Sequence, residues 1–139
     1  MLFGTALLAH IPLWRELHWL RSCTDLPILV KGIVDPADAR QSIEAGMDGI
    51  IVSNHGGRAL DGVPAAIDLL PDVVAEVGGA VPVLMDGGIR RGTDVLRALA
   101  LGATAVLVGR PFIHALAAPG APGVAHVLRL LRGELELAM

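Results

Sequence analysis

The chain has 139 residues, 53% of them hydrophobic but only 3% aromatic, with a formal net charge of -3. This length allows one domain at most, and so high an apolar content excludes a disordered chain. With no basic run and no aromatic-rich stripe, nucleic acid is not an expected partner.

Taken in chain order, Leu2–Leu13 is moderately apolar. It has no Lys or Arg before it and no convincing cleavage site, so a signal peptide is not expected. No stretch approaches the ~20 apolar residues of a membrane span. Trp14–Arg21 has helical patterning, and Trp14 and Trp19 read as packing residues. Cys23 is the single cysteine. It can form no internal disulfide and reads as an inert helix or loop residue. The expected compartment is the reducing cytoplasm, with a peripheral membrane contact left open.

Four short apolar runs follow: Leu26–Val30, Gly49–Val52, Val81–Met85 and Ala105–Val108. Each is too short for a helix and rich in β-branched residues or Leu, the signature of buried parallel strands. Helical patterns separate them. Pro36–Ala45 follows Asp35, a candidate N-cap with proline at the first helical position, and Gly46 stops it. Pro64–Val77 ends at Gly78-Gly79, Thr93–Leu101 ends at Gly102, and Gly123–Leu135 is the last. Met47 and Met85 read as core. The alternation implies an α/β fold of parallel β/α units with right-handed crossovers. A closed (β/α)8 barrel needs about 250 residues, so the expectation is half of one.

Lys31, Ser53, Asp86 and Gly109 each follow an apolar run directly. In a β/α barrel these are the carboxyl ends of the strands, where the catalytic face lies. Ser53-Asn54-His55-Gly56-Gly57-Arg58 sets an imidazole beside a guanidinium. The first can move a proton near neutrality and the second can fork onto a carboxylate. Asp86-Gly87-Gly88-Ile89-Arg90-Arg91-Gly92 and Gly109-Arg110-Pro111 look like anion-binding loops, with backbone N–H groups bared by glycine and arginines nearby. The plainer readings are a surface loop with a structural histidine and ordinary tight turns. His10, His18, His114 and His126 show no metal-ligand spacing, and no metal site is expected.

LPILVKG at Leu26–Gly32, SNHGGRALD at Ser53–Asp61, DGGIRRGTDVLRALALGA at Asp86–Ala103 and GRP at Gly109–Pro111 together resemble the FMN-dependent 2-hydroxy-acid oxidases and dehydrogenases. Glycolate oxidase, lactate oxidase and the lactate and mandelate dehydrogenases are members. The resemblance covers the carboxy-terminal half of that barrel and runs from about Trp14 to the end, making residues 1–139 a partial domain. It implies FMN as cofactor and oxidation of an L-2-hydroxy acid to a 2-oxo acid. Lys31 would lie against the flavin ring, Ser53 would contact the flavin, His55 would be the base and Arg58 would hold the substrate carboxylate. Asp86, Gly87, Gly88, Ile89 and Arg90 would form an FMN-binding loop, with Gly109 and Arg110 at the phosphate. Oxygen, a quinone or a cytochrome would take the electrons.

Within the motifs, Ala59 stands where the family commonly has glutamine, and Ile89 is a conservative change. The resemblance also calls for four earlier strands that carry further flavin contacts, substrate-binding tyrosines and an aspartate partner for the histidine. The chain has no tyrosine. Four strands cannot close a barrel, so aggregation, a homo-oligomer or pairing with a complementary half is expected. A non-catalytic remnant that at most binds FMN or phosphate weakly is the alternative function. Another phosphate-binding barrel, an isomerase or nucleotide dehydrogenase, fits SNHGGR less well.

Overall fold

In a computed structural model, the structure describes residues 13–139. His10 and nearly all of Leu2–Leu13 lie outside the described residues. Helix α1 (Trp14–Ser22) leads into β1 (Leu29–Ile33), α2 (Pro36–Glu44) and β2 (Gly49–Val52). A 3₁₀ turn (His55–Gly57), α3 (Ala66–Val77), β3 (Val83–Asp86), α4 (Gly92–Ala100) and β4 (Ala105–Leu107) come next, then α5 (Arg110–Ala117) and α6 (Ala121–Ala138). The four strands lie in sequence order, every neighbouring pair parallel. The expected α/β succession is therefore present.

The sheet has two unlike faces. Val30, Ile33, Ile50, Val52, Val83 and Met85 point toward the helices and meet Ala39, Leu70, Val73 and Ala98. Leu70 and Val73 are fully buried, which fixes α3 against the strands. The other face carries Lys31, Ile51, Leu84 and Ala105 in one row, because Lys31 pairs with Ile51, Ile51 with Leu84 and Leu84 with Ala105. One step further along the strands, Asp86 pairs with Leu107. Lys31 thus stands at the β1 end of an otherwise apolar row, and Asp86 lies one step above that row on β3.

Prolines correct two strand limits. Val81–Met85 becomes Val83–Asp86. Pro82 has no N–H for the ladder, although its carbonyl accepts from the Ile50 N–H at 3.0 Å. Leu26–Val30 becomes Leu29–Ile33. Pro27 lacks a donor, and the Ile28 N–H goes to the Asp48 carboxylate at 2.7 Å. Consequently Lys31 lies inside β1 and Asp86 is the last residue of β3, rather than following their strands. The fourth strand ends at Leu107, one residue early.

The helices keep their expected places with small shifts. Asp35 caps α2, its side chain accepting from the Ala37 N–H at 2.7 Å. Helix α3 starts at Ala66 rather than Pro64 and stops at Gly78 in the left-handed conformation. Helix α6 begins at Ala121 and ends at Ala138, slightly beyond both expected ends. Gly109-Arg110-Pro111 is not simply a loop: Gly109 is the N-cap of α5, and Pro111 sits in its first turn, where a missing N–H costs nothing. The tryptophan expectation fails. Trp19 is 66% exposed and no residue of α1 is buried. Positions five apart on a helix lie about 140° apart, so the two rings cannot share one buried stripe.

Candidate active site

The site is built at the carboxyl ends of the strands. Lys31 rises from the apolar row and donates from Nζ to Ser53 Oγ at 2.8 Å, and it forms an ion pair with Asp86 Oδ2 at 2.8 Å. Three strands are thereby joined through side chains. Ser53 is 1% exposed, and its hydroxyl also accepts the His55 N–H at 3.1 Å. It lies behind the cleft wall and orients the groups in front of it.

His55 has φ 56°, the one non-glycine residue with positive φ among the described residues. That left-handed conformation costs roughly 1 kcal/mol or more for a side chain of this type. The neighbouring Asn54 holds it in place. Its Oδ1 accepts the Gly56 N–H at 3.0 Å, and its Nδ2 donates to the Pro64 carbonyl at 3.1 Å. The turn lifts the imidazole to the cleft surface. Asn54 has a structural part that spacing did not reveal, though an asparagine before a turn of glycines was the available signal.

After β3 the chain turns through Gly87 (φ 92°) and Gly88 (φ 78°). Ile89 is 4% exposed and anchors the loop in the core, so its part at the cleft is through backbone. The Arg90 and Arg91 N–H groups both donate to Asp94 Oδ2 at 3.0 Å. Arg90 therefore offers an anion its guanidinium alone. Among the described residues the N–H groups of Gly87, Gly88, Gly109 and Arg110 have no backbone partner. Those of Gly109 and Arg110 stand at the start of α5, where the helix dipole favours negative charge.

These groups face one open cleft of about 910 Å³. Lys31, His55 and Arg58 line it together with Asp86, Gly87 and Gly88. Ile89, Arg90, Gly109 and Arg110 complete the candidate set on the same wall. Every expected site residue except Ser53 is thus on one rim. Leu107, Ile113 and His114 also line it, and sequence reasoning gave them no role there. The sequence signal that was available was proline after glycine at the start of a helical apolar pattern.

The sequence profile of the FMN-dependent dehydrogenases matches residues 3–139. The chain belongs to this FMN-dependent dehydrogenase family. A peroxisomal (S)-2-hydroxyacid oxidase of Arabidopsis thaliana is 60% identical over 126 residues, which are 91% of this chain and 35% of that protein. The 2-hydroxyacid oxidase 1 of Mus musculus is 58% identical, over 91% of this chain and 34% of its own length. The crystal structure of mandelate oxidase with (S)-4-hydroxymandelic acid superposes with a TM-score of 0.90 at 53% identity, covering 92% of this chain and 36% of that one. The chain spans about a third of the length of these relatives. Its parallel β/α units are part of the family's TIM barrel.

The residues present fit an FMN. A phosphate needs hydrogen-bond donors without acceptors, and the unpaired N–H groups beside Arg90 and Arg110 provide them. Added Cβ atoms at Gly88 and Gly109 would meet nothing within 4 Å, so both backbones are open to an approaching group. Asp86 Oδ1 is buried with no hydrogen-bond partner, an acceptor left for a ligand donor.

Proposed function

We propose that this chain supplies the FMN-binding and proton-abstracting half of an oxidase that converts an L-2-hydroxy acid into a 2-oxo acid. The observation that carries this reading is the shared rim: the imidazole of His55 and the guanidinium of Arg58 line the same cleft as Lys31 and Arg110. His55 acts as the base and Arg58 clamps the substrate carboxylate. In the reaction the C–H and O–H bonds at the alcohol carbon break and a C=O bond forms. One proton goes to His55, and the two electrons with the other proton would go to the acceptor that the cofactor supplies. FMN, when bound, supplies the two-electron acceptor that no side chain provides. Arg90, Arg110 and the N–H groups of Gly87, Gly88 and Gly109 would hold its phosphate end, with Asp86 and Lys31 toward the remainder. Lys31 places a positive charge where negative charge develops on reduction. The names of the relatives support oxygen as the acceptor that regenerates the cofactor.

The test is to express the chain, add FMN and record its visible absorption without oxygen. The expected result is a bound flavin spectrum bleached by glycolate, L-lactate or (S)-mandelate and unbleached in His55→Ala. A chain that binds no FMN, or binds it without bleaching, supports the non-catalytic alternative.

A further inference from the structure

We infer that Gly32 is a positioning residue for His55, the seat on which the imidazole rests. This inference rests on the base assignment above, although its geometry does not. Strand β1 keeps register with β2 as far as Lys31↔Ile51 and then slips, so that Ile33 pairs with Val52. Gly32 is the extra residue of this bulge, with φ 102°, a region that side chains rarely adopt. The slip lets Lys31 face the cleft while Ile33, 5% exposed, still reaches the core. A strand with strict alternation would send Lys31 and Ile33 to the same face.

The bulge also leaves bare backbone beside Lys31, and the histidine ring occupies that place. A Cβ built on Gly32 would lie 2.8 Å from His55 Cε1 and 3.7 Å from both Nδ1 and Nε2. The ring therefore meets Gly32 with its N–C–N edge centred on it. Gly32 thus covers neither nitrogen more than the other, which leaves one free to face a substrate and the other an orienting group. Below 3.0 Å something must move, and the backbone on the other side of His55 is tied by the Ser53 hydroxyl to the His55 N–H. Ring rotation is the available relief, and it takes the nitrogens off their line. A displacement of about 1 Å in a reacting group costs on the order of 100-fold in rate.

The test separates this contact from the backbone demand at the same residue. In the full chain, proton NMR is expected to show a nuclear Overhauser contact between a Gly32 α-proton and the His55 Cε1 proton. Gly32→Ala is expected to shift that Cε1 resonance and leave those of His18, His114 and His126 in place. Thermal unfolding of Gly32→Ala, His55→Ala and the double variant then forms a cycle. Backbone strain acts equally in both backgrounds, so the contact predicts a larger loss of Tm from Gly32→Ala when His55 is present. If Gly32→Ala alone fails to fold, recovery in the double variant supports the seat, and failure of both overturns it. Equal losses in the two backgrounds, or no Overhauser contact, also overturn it. None of these measurements uses FMN, so failure to bind flavin would count against the proposed function and leave this inference standing.

Discussion

Replacing Arg110 with Ala separates recognition of a phosphate from recognition of a flavin ring. The guanidinium lines the cleft and lies against the glycine turn, with Nη2 3.3 Å from where a Gly56 Cβ would be. A hydrogen bond to a charged group contributes about 1.5–3 kcal/mol, roughly 10- to 140-fold in a dissociation constant. Arg110 is exposed, so solvent screening places the expected loss near the lower end, about tenfold. The assay is quenching of flavin fluorescence by the chain, run in parallel with FMN and with riboflavin, which lacks the phosphate. Arg110→Ala should weaken FMN about tenfold and leave riboflavin unchanged, and the difference should shrink as salt is added. Arg110→Lys should fall between, keeping the charge and losing the fork. Equal weakening of both ligands would refute the phosphate assignment, because the substitution would then be acting on the shape of the cleft.

Leu70→Ala removes a fully buried side chain from α3 and should cost about 2–5 kcal/mol in denaturant unfolding, with an unchanged urea slope. Glu134 on α6 accepts the Gly92 N–H at 2.8 Å and pairs with Arg91 at 3.1 Å, so it caps α4 from a distant helix. Glu134→Ala should cost about 1 kcal/mol and speed hydrogen exchange at the Gly92 amide. Asp48 and Glu76 are held below their ordinary values of 3.8 and 4.5, Asp48 first by the Ile28 N–H and also by Arg21, Glu76 by its hydrogen bond from Arg40. A depressed carboxylate stabilises the fold above its unfolded pKa, and that contribution is lost as pH falls through the folded value. Acid unfolding of Asp48→Asn should therefore show a shallower pH dependence below about pH 4.

The alternation of apolar runs with helical patterns was enough to specify the parallel sheet, because each run buries one face against a helix. Strand limits were less legible, since they depend on which N–H groups are free. Ile28 spends its donor on Asp48, a residue 20 positions away, and no local pattern announces that. Helix α5 was hidden for a similar reason. A Gly-Arg-Pro sequence fits a phosphate loop and also a helix start, and here it begins a helix whose first residues line the cleft. Within the site, residues carrying charge or an imidazole were readable from type and place. The Gly32–His55 contact was not, because it exists only when two strand ends come together, and Asn54 was signalled only by its place before two glycines.

The proposed role of His55 as base depends on more than its seat. Among the described residues no side chain hydrogen-bonds to either imidazole nitrogen, and the one bond at this residue that fixes its place is from its backbone N–H to Ser53. A base without an orienting carboxylate loses on the order of 10⁴-fold in catalytic triads, through the wrong tautomer and an unsupported imidazolium. The proposed flavin contacts at Arg90, Arg110 and the glycine loops lie within this chain and line the cleft. The two properties should therefore separate: FMN binding persists through the phosphate contacts, while flavin reduction is slower by up to that factor. Stopped-flow bleaching by (S)-mandelate, with and without the part of the Arabidopsis oxidase that this chain does not match, measures the difference. A gain in reduction rate much larger than the gain in FMN affinity is expected. If the chain alone reduces its flavin as fast as the mixture, His55 has all the support it needs within these strands, and the requirement for an outside carboxylate is refuted.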